Sequence, residues 1–287
     1  MLVALLFSMA GIWLDTRVIT GMPAWVKPAK FAISTAIYSG TLAWLLRYVE
    51  VWPRLMRAAA QTTAWMLVLE VAIIDLQAAR GTTSHFNVGT PLDGALFGVM
   101  GVSILVLWLA SVAIAAGLFR QTFRDRGWGW MLRLAMVITV LGAASGGLMT
   151  KPTAEQAAER RLGEPVTLNG GHTVGAADGG PGLAGLGWST EHGDLRIPHF
   201  LGLHAIQLLP LMWWLTRRRS VRAAGTFAAS YVTLFGILLW QALRGQSVLR
   251  PDGLTLWALG IWLAATAIAI AVTEAEKGEA LMEGQRA

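Results

Sequence analysis

The chain has 287 residues, of which 55% are apolar and 14% charged, with a formal net charge of +6. A soluble domain carries about 25% charged residues, and a water-soluble fold of this composition would expose large apolar patches, so the composition argues against one. Cysteine is absent, which excludes thiol redox chemistry, Cys-held iron–sulfur clusters and thiolate zinc sites.

In chain order the apolar residues form eight blocks, at about 2–19, 29–49, 62–79, 94–119, 128–149, 198–216, 223–243 and 254–273. Most reach the roughly 20 residues that a helix needs to cross a bilayer. Continuous blocks, not alternating ones, point to helices and against a barrel. The expected fold is an all-α integral membrane bundle of about eight transmembrane helices. The first block is the weakest, because Asp15 and Arg17 interrupt it. It lacks the basic start and small-residue cleavage site of a signal peptide, so it is expected to be a retained helix.

Basic residues gather in alternate connections: Arg47, Arg54 and Arg57; then Arg120, Arg124, Arg126 and Arg133; then Arg217, Arg218, Arg219 and Arg222. The positive-inside trend makes these connections cytoplasmic. Both termini follow, including the charged tail at 274–287. Trp44, Trp52, Trp128, Trp130, Trp213 and Trp214 flank the same boundary, as interfacial anchors do. The arginine bias accounts for the high isoelectric point without a nucleic-acid partner.

Matching motifs recur in the same order. Gln77-Ala78-Ala79-Arg80-Gly81 parallels Gln241-Ala242-Leu243-Arg244-Gly245. Lys27-Pro28-Ala29-Lys30-Phe31 parallels Arg196-Ile197-Pro198-His199-Phe200, and Pro91-Leu92-Asp93-Gly94 parallels Arg250-Pro251-Asp252-Gly253. Thr16-Arg17 likewise parallels Thr150-Lys151. Two four-helix halves, 1–127 and 128–287, are therefore expected in one orientation, as in parallel-repeat transporters. Asp93 and Asp252 are expected to cap helices, and Pro28 and Pro198 to occupy first turns. Convergent helix-start chemistry is the plainer explanation of those matches.

The halves differ on the outer side. A Gly-rich loop at about 153–195 is expected, with a short polar helix at Ala154–Arg161. All five histidines, His85, His172, His192, His199 and His204, are expected on this face. A spacing of five residues puts His199 and His204 about 140° apart on a regular helix, so they share an ion only if the helix is irregular. His85, His199, His204 and His172 are candidate ligands for zinc, copper or haem b. No HExxH or other tight ligand motif accompanies them. Each would otherwise bond a carbonyl or cap a helix. In the third block, Glu70 and Asp75 are ionisable residues within a span and candidates for a proton or ion relay. Arg17, Lys27 and Lys30 are outer basic residues. A Lys30–Asp75 pair is the purely structural alternative. Gly94-x-x-x-Gly98 and Gly142-x-x-x-Gly146 predict close helix contacts.

The segments 23–34, 80–93 and 193–204, which contain Lys27-Pro28-Ala29-Lys30-Phe31, Arg80-Gly81-Thr82-Thr83-Ser84-His85-Phe86-Asn87 and Pro198-His199-Phe200, resemble those of an uncharacterised family of bacterial multi-pass membrane proteins. The resemblance covers most of the chain and implies a bacterial cytoplasmic membrane. It carries no established function or site residues.

Two readings of function remain open. One is a histidine-lined outer site for a metal ion or haem, in an oxidoreductase or membrane hydrolase. The other is a transporter or sensor of a small anionic solute that uses Glu70, Asp75 and the outer basic residues. Beyond the lipid bilayer and an unknown small molecule, the loop would suit a membrane partner or a second copy of the chain.

Overall fold

The computed structural model describes residues 1–216 and 220–286, with the backbone alone for 274–286. Arg217, Arg218 and Arg219, and the side chains of the charged tail, lie outside the described residues. The protein is 70% helical and, among the described residues, has only two short antiparallel ladders. In order, the elements are α1 (Leu2–Leu14), β1 (Val18–Ile19), β2 (Met22–Pro23), α2 (Val26–Leu46), α3 (Pro53–Arg80), α4 (Pro91–Arg120) and α5 (Arg126–Ser145). A 3-10 turn (Gly146–Thr150) follows, then α6 (Ala154–Arg161), β3 (Thr173–Val174), β4 (Gly193–Asp194), α7 (Arg196–Leu203), α8 (Ala205–Thr216), α9 (Val221–Leu243) and α10 (Gly253–Arg286).

Among the described residues, five helical stretches are long and apolar enough to cross a membrane: α3, α4, Arg126–Arg161, α9 and Gly253–Thr273. The apolar helices α1 and α8 are shorter, at 13 and 12 residues. The first block ends as a helix at Leu14. There Asp15 turns extended, and Arg17 folds back onto it at 2.6 Å. Arg17 also donates to the Ala79 carbonyl at the end of α3 (3.1 Å), which holds the N-terminal hairpin on that helix.

α3 and α9 stop in the same way. Gly81 and Gly245 take φ of +75° and +74°, a left-handed conformation that glycine adopts without steric cost. The arginine before each glycine then bridges to the start of the next helix: Arg80 to Asp93 at 2.6 Å, and Arg244 to Asp252. Asp252 accepts from Thr255 N (2.8 Å), as a cap does. Asp93 does not cap α4. Thr90 is the cap, accepting from Asp93 N at 3.1 Å, and Asp93 sits inside the first turn. The shorter hydroxyl reaches the free N–H from the extended residue, which frees the carboxylate for Arg80 and Gln77.

The sixth apolar block is not one helix. It breaks at His204 into α7 and α8. A break at membrane depth frees backbone groups that lipid cannot satisfy. Here the Tyr231 hydroxyl donates to the Leu201 carbonyl (2.6 Å), and Ile206 N–H donates to the Thr139 hydroxyl (3.1 Å). α5 meets α7 backbone to backbone, because a Cβ on Gly142 would lie 2.4 Å from Gly202. Gly146 is also close to the His199 ring, at 2.9 Å from a built Cβ. The second small-residue motif is thus a helix contact. The first is not: a Cβ on Gly98 meets nothing within 4 Å.

Removing the Tyr231 hydroxyl orphans the Leu201 carbonyl, so Tyr231→Phe is expected to destabilise the fold by about 1–3 kcal/mol. A thermal melt that matches wild type would contradict this account of the break.

The half of the bundle next to the α2–α3 and α4–α5 connections is sealed by Leu45, Ile114, Leu118, Leu132, Met136 and Ile206, all fully buried in one cluster. The opposite half, which the sequence reading expects to be the outer one, is hollow. The loop after α5 roofs it, starting with α6, whose Thr153–Gln156 capping box explains why so polar a helix forms there.

Candidate functional site: a cavity under the outer loop

The hollow is a cavity of about 2310 Å³, walled by α2, α3 and α4 on one side and α5, α7 and α8 on the other. Lys27, Lys30, Glu70, His85, His172, His199, His204 and Arg196 all line it. The sequence separations are large, and three elements bring the charged groups together: the first turn of α2, the α3–α4 loop and the outer loop.

Glu70 is 3% exposed on the cavity side of α3. Its Oε1 lies 3.5 Å from His85 Nε2, and its Oε2 is buried without a partner. On the other edge of the ring, Lys27 Nζ lies 3.1 Å from Nδ1, with Ser84 Oγ at 3.0 Å. With Lys27 as an ammonium, which only donates, Nδ1 accepts and the ring proton sits on Nε2, facing Glu70. Burial, the Lys27 ammonium, His172 and His199 together hold the His85 imidazole well below its usual range. His85 is therefore a neutral spacer between cation and carboxylate.

The residue after it is strained. Phe86 takes φ of +65°, which a bulky side chain rarely adopts. That turn packs its ring edge-on to His172 (4.9 Å) and against Phe97 (5.8 Å).

His172 and His199 have the opposite tautomer. His172 Nδ1 lies 2.6 Å from Asp178 Oδ2, and His199 Nδ1 lies 2.8 Å from the Gly142 carbonyl. Both acceptors require Nδ1–H, which leaves each Nε2 a free lone pair. Burial pushes the Asp178 carboxyl up, but the bond from His172 and the N–H groups of His172 and Thr173 outweigh it and hold the carboxyl well below the usual range. A depressed folded-state value contributes stability above the unfolded value of about 4 and loses it as pH falls toward the folded value. The Asp178→Asn protein is expected to cleave in the outer loop at least 10-fold faster under limited proteolysis at pH 7, as wild type does once acidified below about pH 3. Equal cleavage of the two proteins at pH 7 would sink this.

The remaining expected residues do not join these bonds. His204 sits at the helix break, 3.3 Å from Gln207 Oε1 and stacked on Phe200. Asp75, with Oδ1 buried and unpartnered, does not pair with Lys30. Lys30 donates instead to the Leu186 carbonyl in the roof (2.8 Å). Arg17, Asp75, Asp93, Asp252 and His192 lie outside the cavity lining. Among the described residues no three His, Asp or Glu side chains are placed to hold one metal ion. The sequence did not single out Asp178 or Arg196, whose guanidinium is held on the fully buried Asp194 at 2.6 Å. The pattern Asp194-Leu195-Arg196, a carboxylate two residues before an arginine, was the available signal, and Asp15-Thr16-Arg17 repeats it with the same ion pair.

Comparison with family models, with curated proteins and with solved structures finds no match.

Proposed function

We propose that this is a polytopic protein of a bacterial cytoplasmic membrane that takes a small anionic solute from the outer face into this cavity, as a transporter or solute sensor. It would have eight spans in two four-helix halves, 1–127 and 128–287, in one orientation with both termini cytoplasmic. The repeated Arg-Gly endings of α3 and α9, each bridged to an aspartate, support the two halves. The broken α7–α8 segment supports a binding role, because interrupted helices line solute sites between repeats.

One observation carries the reading. Among the described residues, the Lys27 ammonium in the cavity wall is bonded to an imidazole nitrogen and not ion-paired to a carboxylate. Lys30 likewise has only a carbonyl. A charge enclosed in protein is costly unless it is paired, so an anion between the two lysines would offset that cost whenever they are protonated. Glu70, behind His85, is placed to exchange a proton as the anion enters or leaves. The test is uptake of labelled small organic anions by proteoliposomes at several pH values. Wild-type uptake should depend on pH, and Glu70→Gln should remove that dependence. Identical pH profiles for the two proteins would refute the role of Glu70.

A second reading, a haem b or metal site, is favoured by the free Nε2 atoms of His172 and His199. A metal-ligating histidine commonly commits its other nitrogen to a carboxylate or carbonyl in this way. Two imidazoles meet the axial needs of haem. Titrating the purified protein with haemin, zinc and copper separates the readings. No bound metal, and a haemin spectrum unchanged by His172→Ala and His199→Ala, would exclude it.

A further inference from the structure

The walls of the cavity are uneven, and this bears on what it holds. The charged groups lie at its outer end. Deeper, it is lined mainly by apolar side chains such as Leu67, Met100, Ile104 and Trp108, with the hydroxyls of Tyr38, Ser111 and Thr139 at its floor. The outer loop roofs it, tied down by the Lys30–Leu186 bond and by Gly21 packed on Gly179. One side stays open. Ile33 on α2 and Ile104 and Leu105 on α4 line the cavity, yet are 45%, 42% and 55% exposed. Below them the gap closes, where the Tyr38 hydroxyl meets Ser111 Oγ at 3.2 Å. At 1.5 Å per residue, Ile33 lies about 8 Å and Ile104 about 10 Å outward of that bond, so the two sit at matched height. Gly101 also lines the opening, and a Cβ placed there meets nothing within 4 Å. In the proposed orientation the slot would open toward the outer leaflet, so what passes through it must be apolar along most of its length.

We infer that the ligand is an amphipathic anion, a carboxylate or phosphate on a long apolar chain, that enters sideways from the outer leaflet between α2 and α4. Its head rests at Lys27 and Lys30, and its chain lies along α4 toward Trp108. This rests on the anionic-solute reading and narrows it. A water-borne anion would leave the apolar depth unfilled. A neutral lipid would leave the two ammonium groups without a counter-charge. The carboxylate and phosphate heads share the chemistry that the lysines recognise, so both belong in the test.

The experiment uses the full chain in phosphatidylcholine nanodiscs, with empty nanodiscs as the partition control. Binding of labelled dodecanoate is measured in competition with acetate, inorganic phosphate, dodecyl phosphate and dodecanol. Dodecanoate or dodecyl phosphate should compete at least about 100-fold better than its short counterpart, because each buried methylene adds to affinity. Dodecanol should compete poorly. Gly101→Trp puts an indole at the slot from a position whose Cβ meets nothing within 4 Å. It should slow dodecanoate association at least 10-fold while leaving the melting temperature unchanged. Lys27→Met should weaken saturable dodecanoate binding roughly 10- to 150-fold. If acetate or phosphate competes as well as the long-chain anion, the site takes the head alone, and this inference falls while the anionic-solute reading stands. If Gly101→Trp leaves association unchanged, sideways entry is wrong. If no anion, short or long, binds above empty nanodiscs, both fall together.

Discussion

Lys27→Met is expected to weaken anion binding roughly 10- to 150-fold, the equivalent of about 1.5–3 kcal/mol for a hydrogen bond to a charged group. The ammonium is fixed by His85 Nδ1 at 3.1 Å and enclosed by protein, so water screens it little. Lys30→Met should cost less, because Lys30 reaches from the roof and is held by a carbonyl. Arg17→Ala is the control. Its guanidinium is spent on Asp15 and on the end of α3, so anion affinity should not move. Equal losses in all three proteins would mean that the basic residues act through general charge and not through a site. Isothermal titration in nanodiscs measures each.

Gly142→Leu has the largest expected effect on stability. A Cβ there would already lie 2.4 Å from the backbone of Gly202, so α5 and α7 must separate. Overpacking of this kind costs about 1–3 kcal/mol, or more where backbone cannot yield. Separation also pulls the Gly142 carbonyl from His199 and the Thr139 hydroxyl from Ile206. The expected result is a melting temperature lowered by many degrees, or no folded protein at all. Gly98→Leu makes the comparison, since nothing lies within 4 Å of its Cβ position. It should be neutral or mildly stabilising, because leucine suits a helix better than glycine. Similar melts for the two variants would remove the close α5–α7 crossing from the account.

Local chemistry was legible in the sequence, and closure in space was not. The polar helix Ala154–Arg161 could be read because Thr153 and Gln156 form its capping box within four residues. The ends of α3 and α9 could be read because glycine sits where the chain turns left-handed. The gathering of outer histidines and lysines was visible as a tendency. Their partners were not. Lys27 and His85 are 58 residues apart and meet only because the α3–α4 loop folds over α2. Hydropathy misled where a helix is interrupted without losing apolar character. The break at His204 lies in an unbroken apolar run, and what stabilises it, Tyr231 and Thr139, belongs to other helices. The two small-residue motifs look alike in sequence. Only the helix opposite decides that Gly142 is a contact and Gly98 is open.

Because the chain has no cysteine, the proposed outward-facing cavity and its attraction for anions can be measured directly. Ser34 lines the cavity one helical turn below Lys30, so Ser34→Cys places a single thiol beside the lysines. In intact cells, a membrane-impermeant anionic thiosulfonate should label it from outside several-fold faster than a cationic reagent of similar size. Lys30→Met in the same background should shrink that ratio. A thiol that reacts only from the cytoplasmic side, or one that the cationic reagent labels faster, would contradict the account.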